Sequence, residues 1–151
     1  TDIAGIDLYQ GKIIQVGNAN TVFNLPSIID TADGASAGGD DPANLNRVGI
    51  KYHFILTASL TGGNTFVLNA GTAAGRATAD VFAGMAIYNN TATDPGAVTA
   101  FNGSSTDTLT LTATTKGGLA GAQIECQAVD GLLWQISAQL IGNGAFANPW
   151  S

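Results

Sequence analysis

Val48-Gly49-Ile50-Lys51-Tyr52-His53-Phe54-Ile55-Leu56-Thr57-Ala58-Ser59-Leu60 alternates strictly. Val48, Ile50, Tyr52, Phe54, Leu56, Ala58 and Leu60 fall on one side, and Lys51, His53, Ile55, Thr57 and Ser59 on the other. Period two over so many residues is the mark of a half-buried β-strand, since successive side chains in a strand point to opposite faces. Thr61-Gly62-Gly63-Asn64 follows as a turn, and then a second alternating run, with Phe66, Leu68 and Ala70 opposed to Thr65, Val67 and Asn69. The expectation is a hairpin.

A second hairpin is expected around Asp130-Gly131. A two-residue loop would set Gln127 against Trp134 and Glu125 against Ile136. A three-residue loop, Val129-Asp130-Gly131 with Gly131 left-handed, pairs Ala128 with Leu132, Cys126 with Trp134, Ile124 with Ile136 and Ala122 with Ala138. It also gathers Gln123, Glu125, Gln127, Gln135 and Ser137 on the other face, so this register is the one expected. Further strands are expected at Lys12–Val16, Thr21–Leu25, Val81–Tyr88, Ala97–Phe101 and Asp107–Thr114, separated by turn residues. Thr72–Ala79 is the one stretch able to form a short helix, and Asp30–Ala43 reads as a long loop. The sum is a single all-β domain over residues 1–151: about eight strands in an antiparallel two-sheet sandwich, jelly-roll-like. Extended arms are expected at about 1–10 and 142–151, at the two ends of the chain.

Composition narrows the function classes. Charged residues are 11% of the chain, against about 25% in soluble domains generally. The mean hydropathy is +0.20. Scarce charge on a chain able to bury its own core points to surface covered by other subunits, because obligate interfaces are depleted in charge. Five basic residues, scattered at Lys12, Arg47, Lys51, Arg76 and Lys116, face eleven acidic ones. Nucleic acid and anionic membrane are therefore unexpected partners. No apolar run reaches the roughly 20 residues of a membrane helix. Thr1-Asp2-Ile3-Ala4-Gly5 has neither a basic region nor a long apolar stretch, which reads as a cytoplasmically made protein.

Chemistry-bearing residues are few. His53 is the sole histidine and Cys126 the sole cysteine, too few for a common zinc site; any Ser-His-Asp or Cys-His arrangement would have to use His53, which reads as a solvated or interface histidine on the strand face opposite the apolar set. Cys126 reads as a small buried hydrophobe. Glu125 is the only glutamate, and most aspartates sit beside Gly, Pro, Asn or Thr, where Asp serves turns. Asp30, Asp33, Asp40 and Asp41 raise a Ca²⁺ possibility, but their spacing is not that of an Asp-x-Asp-x-Asp-Gly loop and a solvated acidic loop is the plainer reading. No catalytic residue, cofactor or metal is assigned, and no enzymatic activity is expected. The candidate interface residues are the apolar ones near the ends: Ile3, Ile6, Leu8 and Tyr9, and Phe146, Pro149 and Trp150. Exposed apolar chain is a liability unless something covers it.

Val22-Phe23-Asn24-Leu25-Pro26, Gly49 to Leu56, Asn64-Thr65-Phe66-Val67-Leu68, Lys116-Gly117-Gly118, Gly121 to Glu125 and Asp130 to Ala138 together resemble the β-rich virion proteins of tailed bacteriophages. The resemblance is strongest to capsid decoration (cement) proteins and to some fibre domains. It implies a homotrimer on the capsid exterior, made in the host cytoplasm, that binds the major capsid protein and braces neighbouring capsomers. The alternative is a tail fibre or receptor-binding module for cell-surface glycan, with Tyr9, Tyr88 and Trp150 as aromatic platforms.

Overall fold

The computed structural model describes residues 11–28, 47–71, 80–92, 96–130 and 132–151, with the backbone alone at 101–105. The expected helix at Thr72–Ala79 and the loop Asp30–Ala43 lie outside these residues. The all-β expectation holds, and the described residues form nine strands in two sheets. These are β1 (Ile13–Val16), β2 (Thr21–Asn24), β3 (Lys51–Leu56), β4 (Thr65–Asn69), β5 (Val81–Asn90), β6 (Val98–Thr106), β7 (Thr108–Thr112), β8 (Gln123–Ala128) and β9 (Leu133–Gly142). The larger sheet runs β1-β3-β8-β9-β5-β6 and the smaller β2-β4-β7.

Alternation in the sequence becomes alternation in burial. On β3, Tyr52, Phe54 and Leu56 are fully buried while Lys51 is exposed. On β9, Trp134, Ile136, Ala138 and Leu140 point inward, and Gln135, Ser137 and Gln139 outward. The two inner faces meet through aromatic rings. Phe54 of the large sheet lies 5.4 Å from Phe23 and 5.6 Å from Phe66 of the small one, centroid to centroid. Tilted rings at such spacing add to the area they remove from water.

Three expectations are corrected. The first hairpin does not form: β3 and β4 lie in different sheets. Thr57 still bonds to β1, and beyond it the chain leaves the large sheet as Leu60 turns to another partner. The Thr57 amide donates to the Val16 carbonyl and the Leu60 amide to the Gly118 carbonyl. A side chain at Gly118 would run into Leu60 and the Thr112 backbone, so the close approach requires glycine there. The chain thus arches from one sheet to the other, and β1–β2 makes the same crossing beside it. Parallel pairing of β1 with β3 and of β2 with β4 stacks the two arches. Asn18 ties them: its side chain accepts the Thr61 amide (2.9 Å) and the Asn64 side-chain amide (3.0 Å), and it donates to the Thr61 hydroxyl. At the strand's other end Val48 sits in a turn and is 47% exposed.

Secondly, the sheets are mixed. Three of the seven ladders are parallel: β1 with β3, β2 with β4 and β5 with β9. A jelly roll pairs its strands antiparallel, so these ladders depart from that wiring. Thirdly, the β8–β9 hairpin keeps the expected faces but slides by two residues. Ala128 pairs with Trp134, Cys126 with Ile136 and Ile124 with Ala138. The loop is longer than expected because Asp130 organises it, its carboxylate accepting the amides of Leu132 (2.8 Å) and Leu133 (2.9 Å). Gly131 itself lies outside the described residues.

The C-terminal residues form no extended arm. They fold back on β7, where Leu109 and Trp150 form an isolated antiparallel bridge. Thr108 and Ser151 exchange amide–carbonyl bonds of 3.1 and 3.0 Å, and the Thr110 amide donates to the Pro149 carbonyl at 2.8 Å.

Candidate functional site

With every core-facing position taken up by packing, what the molecule offers to others is its outward surface. Among the described residues, the outer face of the six-stranded sheet is one such surface. Cross-strand register fixes its rows. One reads Ile13, His53, Glu125, Ser137, Met85, Asn102 across the sheet. The next reads Gln15, Ile55, Gln123, Gln139, Ile87, Ala100. A third, shorter row carries Lys51, Gln127, Gln135 and Ala83.

This face mixes the side-chain amides of Gln15, Gln123, Gln127, Gln135 and Gln139 with the apolar Ile13, Ile55, Met85 and Ile87 and the hydroxyl of Ser137. Its described charges are Lys51 and Glu125, 3.7 Å apart and both exposed. Such an exposed pair contributes little, typically about 0–1 kcal/mol. Glu125, Gln127, Gln135 and Ser137 line a shallow depression of about 150 Å³. Side-chain amides both donate and accept, so the depression can hydrogen-bond polar groups of either kind. It holds no nucleophile paired with a base. Cys126, one residue from Glu125, points the other way into the core. Burial pushes its thiol far above the ordinary range, and the neighbouring Glu125 charge raises it further. A thiolate, the reactive form, is thereby disfavoured. Among the described residues no three of His, Cys, Asp and Glu come together as a metal site, and Asp30, Asp33, Asp40 and Asp41 lie outside them.

Compared with known protein families, with curated proteins and with solved structures, the chain shows no match. Its reading therefore rests on its own residues.

The interface candidates separate into two groups. Ile3, Ile6, Leu8 and Tyr9 lie outside the described residues. Phe146, Pro149 and Trp150 are held by their own domain. The Trp150 ring is 7% exposed and stands 6.4 Å from Phe82. Phe146 packs on Tyr88 at 4.0 Å. The Tyr88 hydroxyl reaches the carbonyls of Thr114 and Gly144, at 3.0 and 3.1 Å. Tyr88 and Trp150 consequently offer no outward ring to a sugar.

One property that sequence reading passed over is where the charge sits. Seven of the eleven acidic residues, and Arg76 alone of the five basic ones, fall outside the described residues. Four acidic and four basic residues lie among the described ones. The signal was present in the spacing: Asp2, Asp7, Asp30, Asp33, Asp40, Asp41 and Asp94 avoid the alternating runs.

Proposed function

We propose that the chain is a structural subunit of a virion, a capsid decoration or cement protein. It acts as a homotrimer on the exterior of a phage head, where it contacts the major capsid protein and bridges capsomers. The observation that carries this reading is the outer face of the six-stranded sheet, a broad surface of side-chain amides and apolar groups whose described charges are Lys51 and Glu125. Sparse charge is a mark of surfaces buried in assemblies, and the amides of such a face can be covered where a partner answers their hydrogen bonds. The sequence resemblance to decoration proteins supplies the kind of assembly. Work of this sort needs area and shape, and no bond is made or broken.

The glycan-binding alternative is disfavoured by the inward placement of Tyr88 and Trp150, which removes two of its three platforms. The test is stoichiometry in purified particles, measured against the major capsid protein. A decoration subunit is present in many copies per head. A few copies per particle would instead assign the chain to the tail.

A further inference from the structure

The chain contains two Asn-Gly pairs, Asn102-Gly103 and Asn143-Gly144. Asparagine is among the thermolabile residues, and a following glycine makes it most so. The next residue's nitrogen can attack the side-chain carbonyl carbon. Glycine, with no Cβ, neither shields that nitrogen nor restricts the rotation that brings it into place. The fold treats the two pairs differently. Asn102 and Gly103 lie inside β6, paired with Met85 and Gly84 of β5. A paired strand holds its backbone extended and resists the rotation that ring closure needs.

Asn143-Gly144 lies just past β9, in a bend. Asn143 is exposed. Among the described residues, neither its side-chain amide nor the Gly144 N–H has a hydrogen-bond partner. The carbonyls on either side are engaged. That of Gly142 accepts the Thr91 amide (2.8 Å) and hydroxyl (3.1 Å). That of Gly144 accepts the Tyr88 hydroxyl (3.1 Å) and the Asn90 side-chain amide (3.3 Å). The electrophile and the nucleophile are thus free, and the groups that the reaction does not use hold the bend in place.

We propose that Asn143 is a site of spontaneous deamidation, where the folded chain acquires an acid and an altered main chain. The Gly144 nitrogen gives its proton to solvent base and bonds to Asn143 Cγ. The Cγ–Nδ2 bond breaks and the nitrogen leaves as ammonia. Water then opens the five-membered imide at either carbonyl, to aspartate or to isoaspartate, and nothing is oxidised or reduced. Either product adds a negative charge to a chain already at −6. The isoaspartyl product also routes the main chain through Cβ, one carbon longer. The bond from the Asn143 amide to the Thr114 carbonyl and that from the Tyr88 hydroxyl to the Gly144 carbonyl span the shorter path. Lengthening it loosens the seat of Phe146 on Tyr88.

Trypsin separates the two pairs, since cleavage after Arg76 and Lys116 leaves Asn102 in residues 77–116 and Asn143 in residues 117–151. The test ages the full chain at mildly alkaline pH, folded or in urea, and reads both peptides by mass spectrometry, with fragmentation to place the acid. In the folded chain Asn143 is expected to convert while Asn102 keeps its amide, and in urea both convert. Gly144→Ala is expected to slow Asn143 to the rate of Asn102 with an unchanged circular dichroism spectrum, because its methyl meets nothing closer than the Thr114 carbonyl oxygen at 3.7 Å. Where that variant does not fold, the two wild-type peptides decide alone. An Asn143 that keeps its amide in the folded chain while converting in urea overturns the proposal, as do equal rates for the two pairs in the folded chain. Asn143→Asp carries the charge on an ordinary main chain and is expected to melt with the wild type, the isoaspartyl fraction below both. An isoaspartyl chain that melts with Asn143→Asp overturns the loosening.

Discussion

Gly84 shows how little freedom a single position retains. It sits where the β5–β6 register shifts, with φ +152, and a Cβ there would overlap the Ile136 carbonyl oxygen of β9. Gly84→Ala is expected to cost about 1–3 kcal/mol from backbone conformation alone, with the overlap in addition, read as a lowered urea midpoint. A midpoint equal to wild type would contradict the packing of β5 on β9. Cys126 makes a different prediction. Buried with its thiol held protonated, it is expected to resist Ellman's reagent at pH 8 in the native protein and to react on unfolding. Because its folded-state pKa lies above the ordinary 9.0, its contribution is fully present below about pH 9 and is lost as pH rises beyond that. Rapid stoichiometric labelling of the native chain would place Cys126 outside the core. Asp80 is fully buried and accepts the Ile28 amide at 2.8 Å. Asp80→Ala strands that amide, at a cost of about 1–3 kcal/mol, measurable in the same urea titration; an unaltered midpoint would argue against the bond.

At the scale of elements, the C-terminal segment bridged to β7 is the piece whose role changed most between sequence and structure. Apolar residues beyond the last regular strand suit a neighbour's surface and their own domain equally well, and only the tertiary fold decides. Here Trp150 fills a gap beside Phe82, and Pro149 and Ser151 pair with β7. Trp150→Ala is therefore expected to cost about 3–5 kcal/mol. At roughly 2–4 °C per kcal/mol for a domain of this size, that is a fall in Tm on the order of 10 °C. A variant that melts with the wild type yet fails to assemble would return the residue to an intersubunit role. Strand positions were largely legible, since periodicity reports faces locally: Ile13–Val16, Thr21–Asn24 and Thr108–Thr112 all fall inside expected runs. Pairing was less legible. Sliding β8 past β9 by two residues leaves every side chain on the same face, so the hydrophobic pattern is blind to it. Only the Asp130 carboxylate, satisfying two loop amides, separates the registers. The crossing at Thr57–Leu60 was hidden for a related reason, because Leu60 stays buried on either side of the crossing and keeps the alternation running through it.

At the scale of the whole molecule the net charge is −6, and the described residues hold four acidic and four basic side chains. The amide face of the large sheet was legible in part, as Gln123, Glu125, Gln127, Gln135 and Ser137 alternate with core residues on two adjacent runs. Its continuation through Lys51, His53 and Met85 depends on pairings between strands distant in sequence, which no local pattern announces. The outer face of the large sheet carries Lys51 and Glu125 as its described charges, and the proposed assembly would cover it. The most direct measurement is electron cryomicroscopy of the purified particle that contains this chain. The account predicts three-fold density for it, repeated over the head exterior at the joints between capsomers. Density confined to the tail, or a shell bare of the chain, would contradict it.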